Sequence, residues 1–152
     1  MAPQKSQRFS EETLRLLQKA GWWPERSIGA NLKLPNGFDI HPVALKVLEE
    51  FNHLQVGQSK PGIDRAQSTI IFDPLLAIGE RERFKEYENF LQRNLYPLGE
   101  VDGGYHFLAI DETEFVFLIM DDCWFVDVAF DTALDRLLLG KSLQPVDETG
   151  HW

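Results

Sequence analysis

Hydrophobic positions recur with a helical period before about residue 94 and with a strand-like period after about residue 105. The first helical stretch opens at Ser10, a good N-cap. Glu11 and Glu12 follow in the first turn, where the helix dipole favours them, and Gly21 stands where a C-terminal stop belongs. Phe9 and Leu14 hold the two positions of a hydrophobic staple, and Leu14, Leu17 and Ala20, or Leu16 and Ala20, supply the buried stripe. A second helix is expected over 42–53, because Pro42 suits a first turn and Ala44, Val47, Leu48 and Phe51 recur at i, i+3, i+4 and i+7. Gly57, Lys60, Pro61 and Gly62 mark a loop, Ser68 to Phe72 has strand composition, and Asp73-Pro74 closes it. A third helix over 80–94 places Phe84, Tyr87 and Leu91 on one face beneath a solvated, mixed-charge surface.

From Tyr105 the pattern predicts strands. Tyr105 to Ile110 and Phe115 to Ile119 flank the acidic stretch Asp111-Glu112-Thr113-Glu114 as a hairpin, and Trp124 to Val128 adds a third antiparallel strand. A last helix is expected to start with Asp131 as its cap, to turn Leu134, Leu137 and Leu138 inward, and to stop at Gly140. Helices gathered around consecutive antiparallel strands define an α+β fold, with a meander in the C-terminal half packed against about four helices. The expected organisation is a flexible N-terminus over 1–8, one domain over 9–141 and a tail over 142–152.

Composition narrows the function. A chain of 152 residues, 43% hydrophobic and carrying four Trp and eleven Phe, has enough apolar surface for one sizeable core and too much for disorder. Its net charge of −9 argues against direct binding to nucleic acid. The polar, basic start lacks an apolar signal core, and no run approaches a membrane span, so a cytoplasmic protein without membrane contact is expected. The charge is also unevenly spread. Residues 1–94 hold 12 acidic and 13 basic side chains, whereas residues 95–152 hold 12 acidic and only 2 basic, net −10. Such an anion either keeps a small domain soluble or meets a basic partner.

Candidate chemistry is sparse. His41, His53, His106 and His151 are scattered, with no His-Glu-x-x-His spacing, and a single Cys123 permits neither an intramolecular disulfide nor a zinc cluster. No metal or other cofactor is expected. Gly99 to Gly104 lacks both dinucleotide-binding and P-loop spacing and reads as a turn. Carboxylates are abundant, so an acid–base hydrolase stays open on residue type alone. Of Trp22 and Trp23, the first is expected in the core and the second at an interface.

The order of landmarks resembles the SUKH superfamily of bacterial immunity proteins, specifically its third subgroup. The resemblance rests on Phe9-Ser10 leading into Leu17-x-x-Ala20-Gly21-Trp22-Trp23-Pro24-Glu25-Arg26, then Leu48-x-x-Phe51 and Ile71-Phe72-Asp73-Pro74. Leu95-Tyr96-Pro97-Leu98-Gly99-Glu100, Leu108-Ala109-Ile110-Asp111 and Ala133-Leu134-x-x-Leu137-Leu138-x-Gly140 complete it. Asn52-His53 and Glu112-Thr113-Glu114 depart from it where glycines would be usual. It implies a non-enzymatic protein that binds and blocks a cognate toxin domain. If that toxin is a nuclease with a basic cleft, an acidic surface imitates the phosphate backbone. The expected contact residues are Asp111, Glu112, Glu114, Asp121, Asp122 and Asp127, then Glu100 and Asp102, with Trp23 as an aromatic anchor. Two other classes stay open: a regulatory or adaptor module, and a carboxylate-dependent hydrolase.

Overall fold

A computed structural model describes residues 8–152, so the flexible N-terminus expected over 1–8 lies, except for Arg8, outside the described residues. Four helices, α1 (Glu11–Lys19), α2 (Pro42–Phe51), α3 (Arg81–Leu91) and α4 (Phe130–Leu139), accompany seven strands. These are β1 (Gln55–Gly57), β2 (Thr69–Phe72), β3 (Leu95–Val101), β4 (His106–Asp111), β5 (Val116–Ile119), β6 (Cys123–Asp127) and β7 (Gln144–Pro145). They form one antiparallel sheet in the order β1-β2-β3-β4-β5-β6-β7, so the α+β meander expected of the C-terminal half runs through the whole fold.

Alternation along the strands feeds two cores. On β4, Leu108 and Ile110 join the larger core under α1, α2 and α4, while Phe107 and Ala109 join a second core under α3. The helix faces match the sequence pattern: Ala44, Val47, Leu48 and Phe51 of α2 are all buried, as are Leu134, Leu137 and Leu138 of α4. Ser10 caps α1 by accepting the Thr13 N–H, and its hydroxyl donates to Asp135 Oδ1 at 2.8 Å, which ties α1 to α4. His41 caps α2: its Nδ1 accepts the Ala44 N–H at 3.2 Å, which leaves Nε2 to donate to the Ile110 carbonyl at 3.2 Å.

Three features differ from the sequence reading. The stretch Leu95–Val101 is a fully integrated central strand, although Pro97 cannot donate to a ladder. A bulge between Pro97 and Gly99 absorbs the missing donor, and the strand ends in a tight turn at Asp102 to Gly104. Asp131 does not cap α4. Ala129 occupies that position, and the Phe130 N–H donates instead to Glu114 Oε1 at 3.1 Å, across from the β4–β5 turn. Residues 142–152, expected as a tail, extend the sheet. Gln144 and Pro145 pair with Phe125 and Trp124, and the Trp152 ring stacks on Phe125 with centroids 4.6 Å apart, closing the second core.

Candidate functional site

The strand register sends the expected acidic residues to two opposite ends of the sheet. The β3–β4 turn, the β5–β6 turn and the β1–β2 loop share one end, which holds Asp102, Asp121 and Asp122, with Glu100 nearby on β3. The β4–β5 turn and the start of α4 share the other, which holds Asp111, Glu112, Glu114 and Asp127. The single patch expected from the sequence is therefore two groups.

At the second end the acids are engaged within the fold. Asp111 is 2% exposed, its Oδ2 accepts from Arg93 at 2.5 Å, and its Oδ1 accepts the N–H groups of Thr113 and Phe115. It shapes the turn. Asp127 pairs with Arg136 at 3.3 Å, Glu112 accepts from the Asn94 amide, and Glu114 holds the start of α4. Trp23 is half exposed with the Arg26 guanidinium 5.8 Å from its ring centroid, whereas Trp22 is buried and stacked on Phe51.

The first end carries an open groove of about 540 Å³. Its apolar floor comes from Leu118, Leu143 and the Trp124 ring, its wall from Tyr105 and His106, and its charges from Asp64, Asp102, Asp122 and Arg65. Alternation along β4 to β6 places His106, Leu118 and Trp124 on the same sheet face, at the margin of the larger core. Three local devices fix the carboxylates. Asp122 Oδ1 takes a hydrogen bond from His106 Nε2 at 2.6 Å and Oδ2 one from Trp124 Nε1 at 3.0 Å. Asp102 accepts the Thr69 N–H at 3.1 Å, and Asp64 accepts the Ser142 N–H at 2.8 Å, which stitches the β1–β2 loop to the segment after α4. Desolvation pushes the Asp122 carboxyl up, but the bonds from His106 and Trp124 outweigh it and hold it below the usual carboxylate range.

Cys123 lies behind the groove, at the start of β6. Burial, with the Asp122 charge behind it, pushes the Cys123 thiol up to about 12, so it packs as a small protonated side chain. Among the described residues no group of three His, Cys, Asp or Glu side chains is placed to hold a metal ion. No helix of the described residues is long and apolar enough to cross a membrane. Asp121 does not line the groove; it pairs with Arg83 of α3 at 3.1 Å and is almost fully exposed.

Sequence reasoning reached Asp102 and Asp122 but missed Asp64, Tyr105, His106 and Trp124 as site residues. One signal for Tyr105 was available: a large aromatic following the turn glycines Gly103 and Gly104, and it is 78% exposed. Asp64 had no such signal, because the loop docks only through folded contacts, Ile63 N–H to the Leu139 carbonyl and Asp64 N–H to that of Gly140.

The fold is thus an α+β meander with helices on both faces of the sheet and a groove of fixed carboxylates and aromatics at one end. The family model of the SUKH-3 immunity proteins matches residues 9–140, and the chain belongs to that family. No curated protein and no solved structure matches it significantly.

Proposed function

We propose that this chain acts in the cytoplasm, without catalysis, by binding a cognate toxin domain whose active surface is basic, as that of a nucleic-acid-directed toxin is. The groove end of the sheet is the contact surface. The observation that carries the reading is the groove itself: Asp64, Asp102 and Asp122 line it together with Tyr105 and Trp124, against one cation, Arg65. Exposed aromatics beside fixed charges are the composition of binding hot spots. A surplus of negative charge speeds encounter with a basic cleft and excludes acidic competitors. Asp121, paired with Arg83, and Glu100 lie at the same end of the sheet without lining the groove. The acids of the opposite end, Glu112, Glu114 and Asp127, and the half-exposed Trp23 belong to a secondary surface on this reading, and Asp111 is spent on its turn.

Growth rescue tests it. Co-expression with the toxin domain encoded beside this chain restores growth on this reading, and the double reversal Asp64→Lys with Asp122→Lys abolishes rescue. Reversing Glu112 to Lys at the other end leaves rescue intact. In a binding measurement the double reversal raises Kd by at least about tenfold, or roughly 1.4 kcal/mol, with most of the loss in the association rate. A soluble wild-type chain that fails to protect against an active toxin overturns the proposal.

A further inference from the structure

The proposed contact surface can be refined to the chemistry of one side chain. We infer that the groove beneath Tyr105 is a receptor for an arginine side chain projecting from the partner, an inference that rests on the toxin-binding reading above. Three features of the groove argue for this occupant.

The first is charge. The lining residues carry three carboxylates, Asp64, Asp102 and Asp122, against one guanidinium, Arg65. Among the described residues Asp64 makes no ion pair, and Asp122 pairs only with His106. Asp102 faces Arg65 at a distant 3.8 Å. A cation entering here meets carboxylates already held by the Ser142 and Thr69 N–H groups and by two ring N–H groups, so they need no reordering to receive it.

The second is spacing. The carboxylates come from three separate segments, the β1–β2 loop, the β3–β4 turn and the β5–β6 turn, and no trio of ligating groups among the described residues is placed to enclose a metal ion. A guanidinium suits this spread, because its five N–H donors lie in a plane and address several acceptors in different directions. The ammonium of lysine is a compact, strongly hydrated point charge and satisfies one carboxylate at a time.

The third is the floor and wall. Leu143, backed by the buried Leu118, offers apolar surface to the methylene stem of an arginine, and the Trp124 and Tyr105 rings offer aromatic surface for a weakly hydrated planar cation. Tyr105 is 78% exposed and Trp124 is part-buried, so the wall is open to an incoming side chain while the floor stays anchored.

The test uses the full chain, labelled with nitrogen-15, and small probes in place of the toxin. The four Trp residues give four indole N–H signals, and Trp124→Phe assigns the one in the groove. N-acetyl-arginine methylamide is expected to move that signal saturably, with an apparent Kd on the order of millimolar, and added salt weakens the effect. The isosteric, uncharged citrulline analogue leaves the signal in place, and the lysine analogue moves it at least about threefold more weakly. Asp64→Asn keeps an oxygen for the Ser142 N–H and removes only the charge; it is expected to raise the apparent Kd for the arginine probe about three- to tenfold. An unchanged signal, equal shifts with the citrulline or lysine analogue, or an unaltered titration in Asp64→Asn overturns the inference. Growth rescue is scored separately. A chain that rescues but fails these titrations loses the arginine receptor alone, whereas one that never rescues loses the toxin-binding reading as well.

Discussion

Asp111 and Asp122 both lie in the acidic C-terminal third and are indistinguishable by residue type, yet folding gives them opposite tasks. Asp111 is buried and receives the Thr113 and Phe115 N–H groups and the Arg93 guanidinium, which itself lies 4.4 Å from the centroid of the Phe115 ring. Removing it leaves those donors and a partly buried guanidinium unpaired. Asp111→Ala is therefore expected to destabilise the fold by about 3 kcal/mol. Asp121→Ala, at a position almost fully exposed, is expected to change stability by less than about 0.5 kcal/mol. Urea denaturation of the two variants separates them, and equal midpoints would show that Asp111 is not structural. The carboxylates themselves were legible in the sequence, but their donors were not. Thr113 is close in sequence, whereas Arg93 is brought to Asp111 by the pairing of β3 with β4.

Elements with a clean period were the legible ones. The α2 stripe and the β4–β5–β6 strands stand within about a residue of where the sequence puts them, because α2 turns one face to a core and the strands feed a core on either side of the sheet. β3 was not legible, because Pro97 and Gly99 are signals of turns and edges, and only the neighbouring strands show that a bulge reconciles them with a central position. Gly99 has its own reason to be glycine. Its φ is +153°, and a Cβ there would stand 1.9 Å from the Ile71 carbonyl oxygen on β2. That oxygen belongs to the sheet backbone and cannot move aside. Gly99→Ala is accordingly expected to cost upwards of about 2 kcal/mol, while Gly103→Ala, with open space around it and a φ of +70°, costs about 1 kcal/mol from its backbone conformation alone. Comparing denaturant midpoints for the pair tests whether close strand approach, rather than positive φ, fixes the residue; the idea fails if Gly103→Ala is the worse of the two. The division of the acids between two ends was illegible for a related reason, since it follows from strand direction and turn position rather than from spacing along the chain.

At the scale of the molecule, the charge of −9 and the carboxylates fixed inside the fold respond to acid in opposite directions. Lowering the pH from 7 toward the isoelectric point near 4.8 relieves self-repulsion among the surplus acids and favours the compact state. Two carboxylates oppose this at lower pH. For Asp135 desolvation raises the pKa, but the nearby Thr13 hydroxyl and the hydrogen bonds from the Ser10 hydroxyl and N–H outweigh it and leave the group below its ordinary value of 3.8; Asp122 is held low by His106 and Trp124. A carboxylate whose folded pKa is depressed binds its proton more readily in the unfolded chain. Its stabilisation is therefore complete above the unfolded value, near 4, and is lost as the pH falls through the lower folded value. The two effects together predict a urea midpoint that is flat or slightly rising from pH 7 to about 5 and falling steeply below about 4. Asp135→Asn isolates the specific part. It is expected to be less stable than the parent at pH 7, because the charged acceptor joining α1 to α4 is gone, and the two curves are expected to converge as the pH falls through the lowered folded value of the parent carboxyl. A gap that stays constant through the whole acid-unfolding range would mean that the Asp135 charge contributes nothing and that acid lability arises elsewhere.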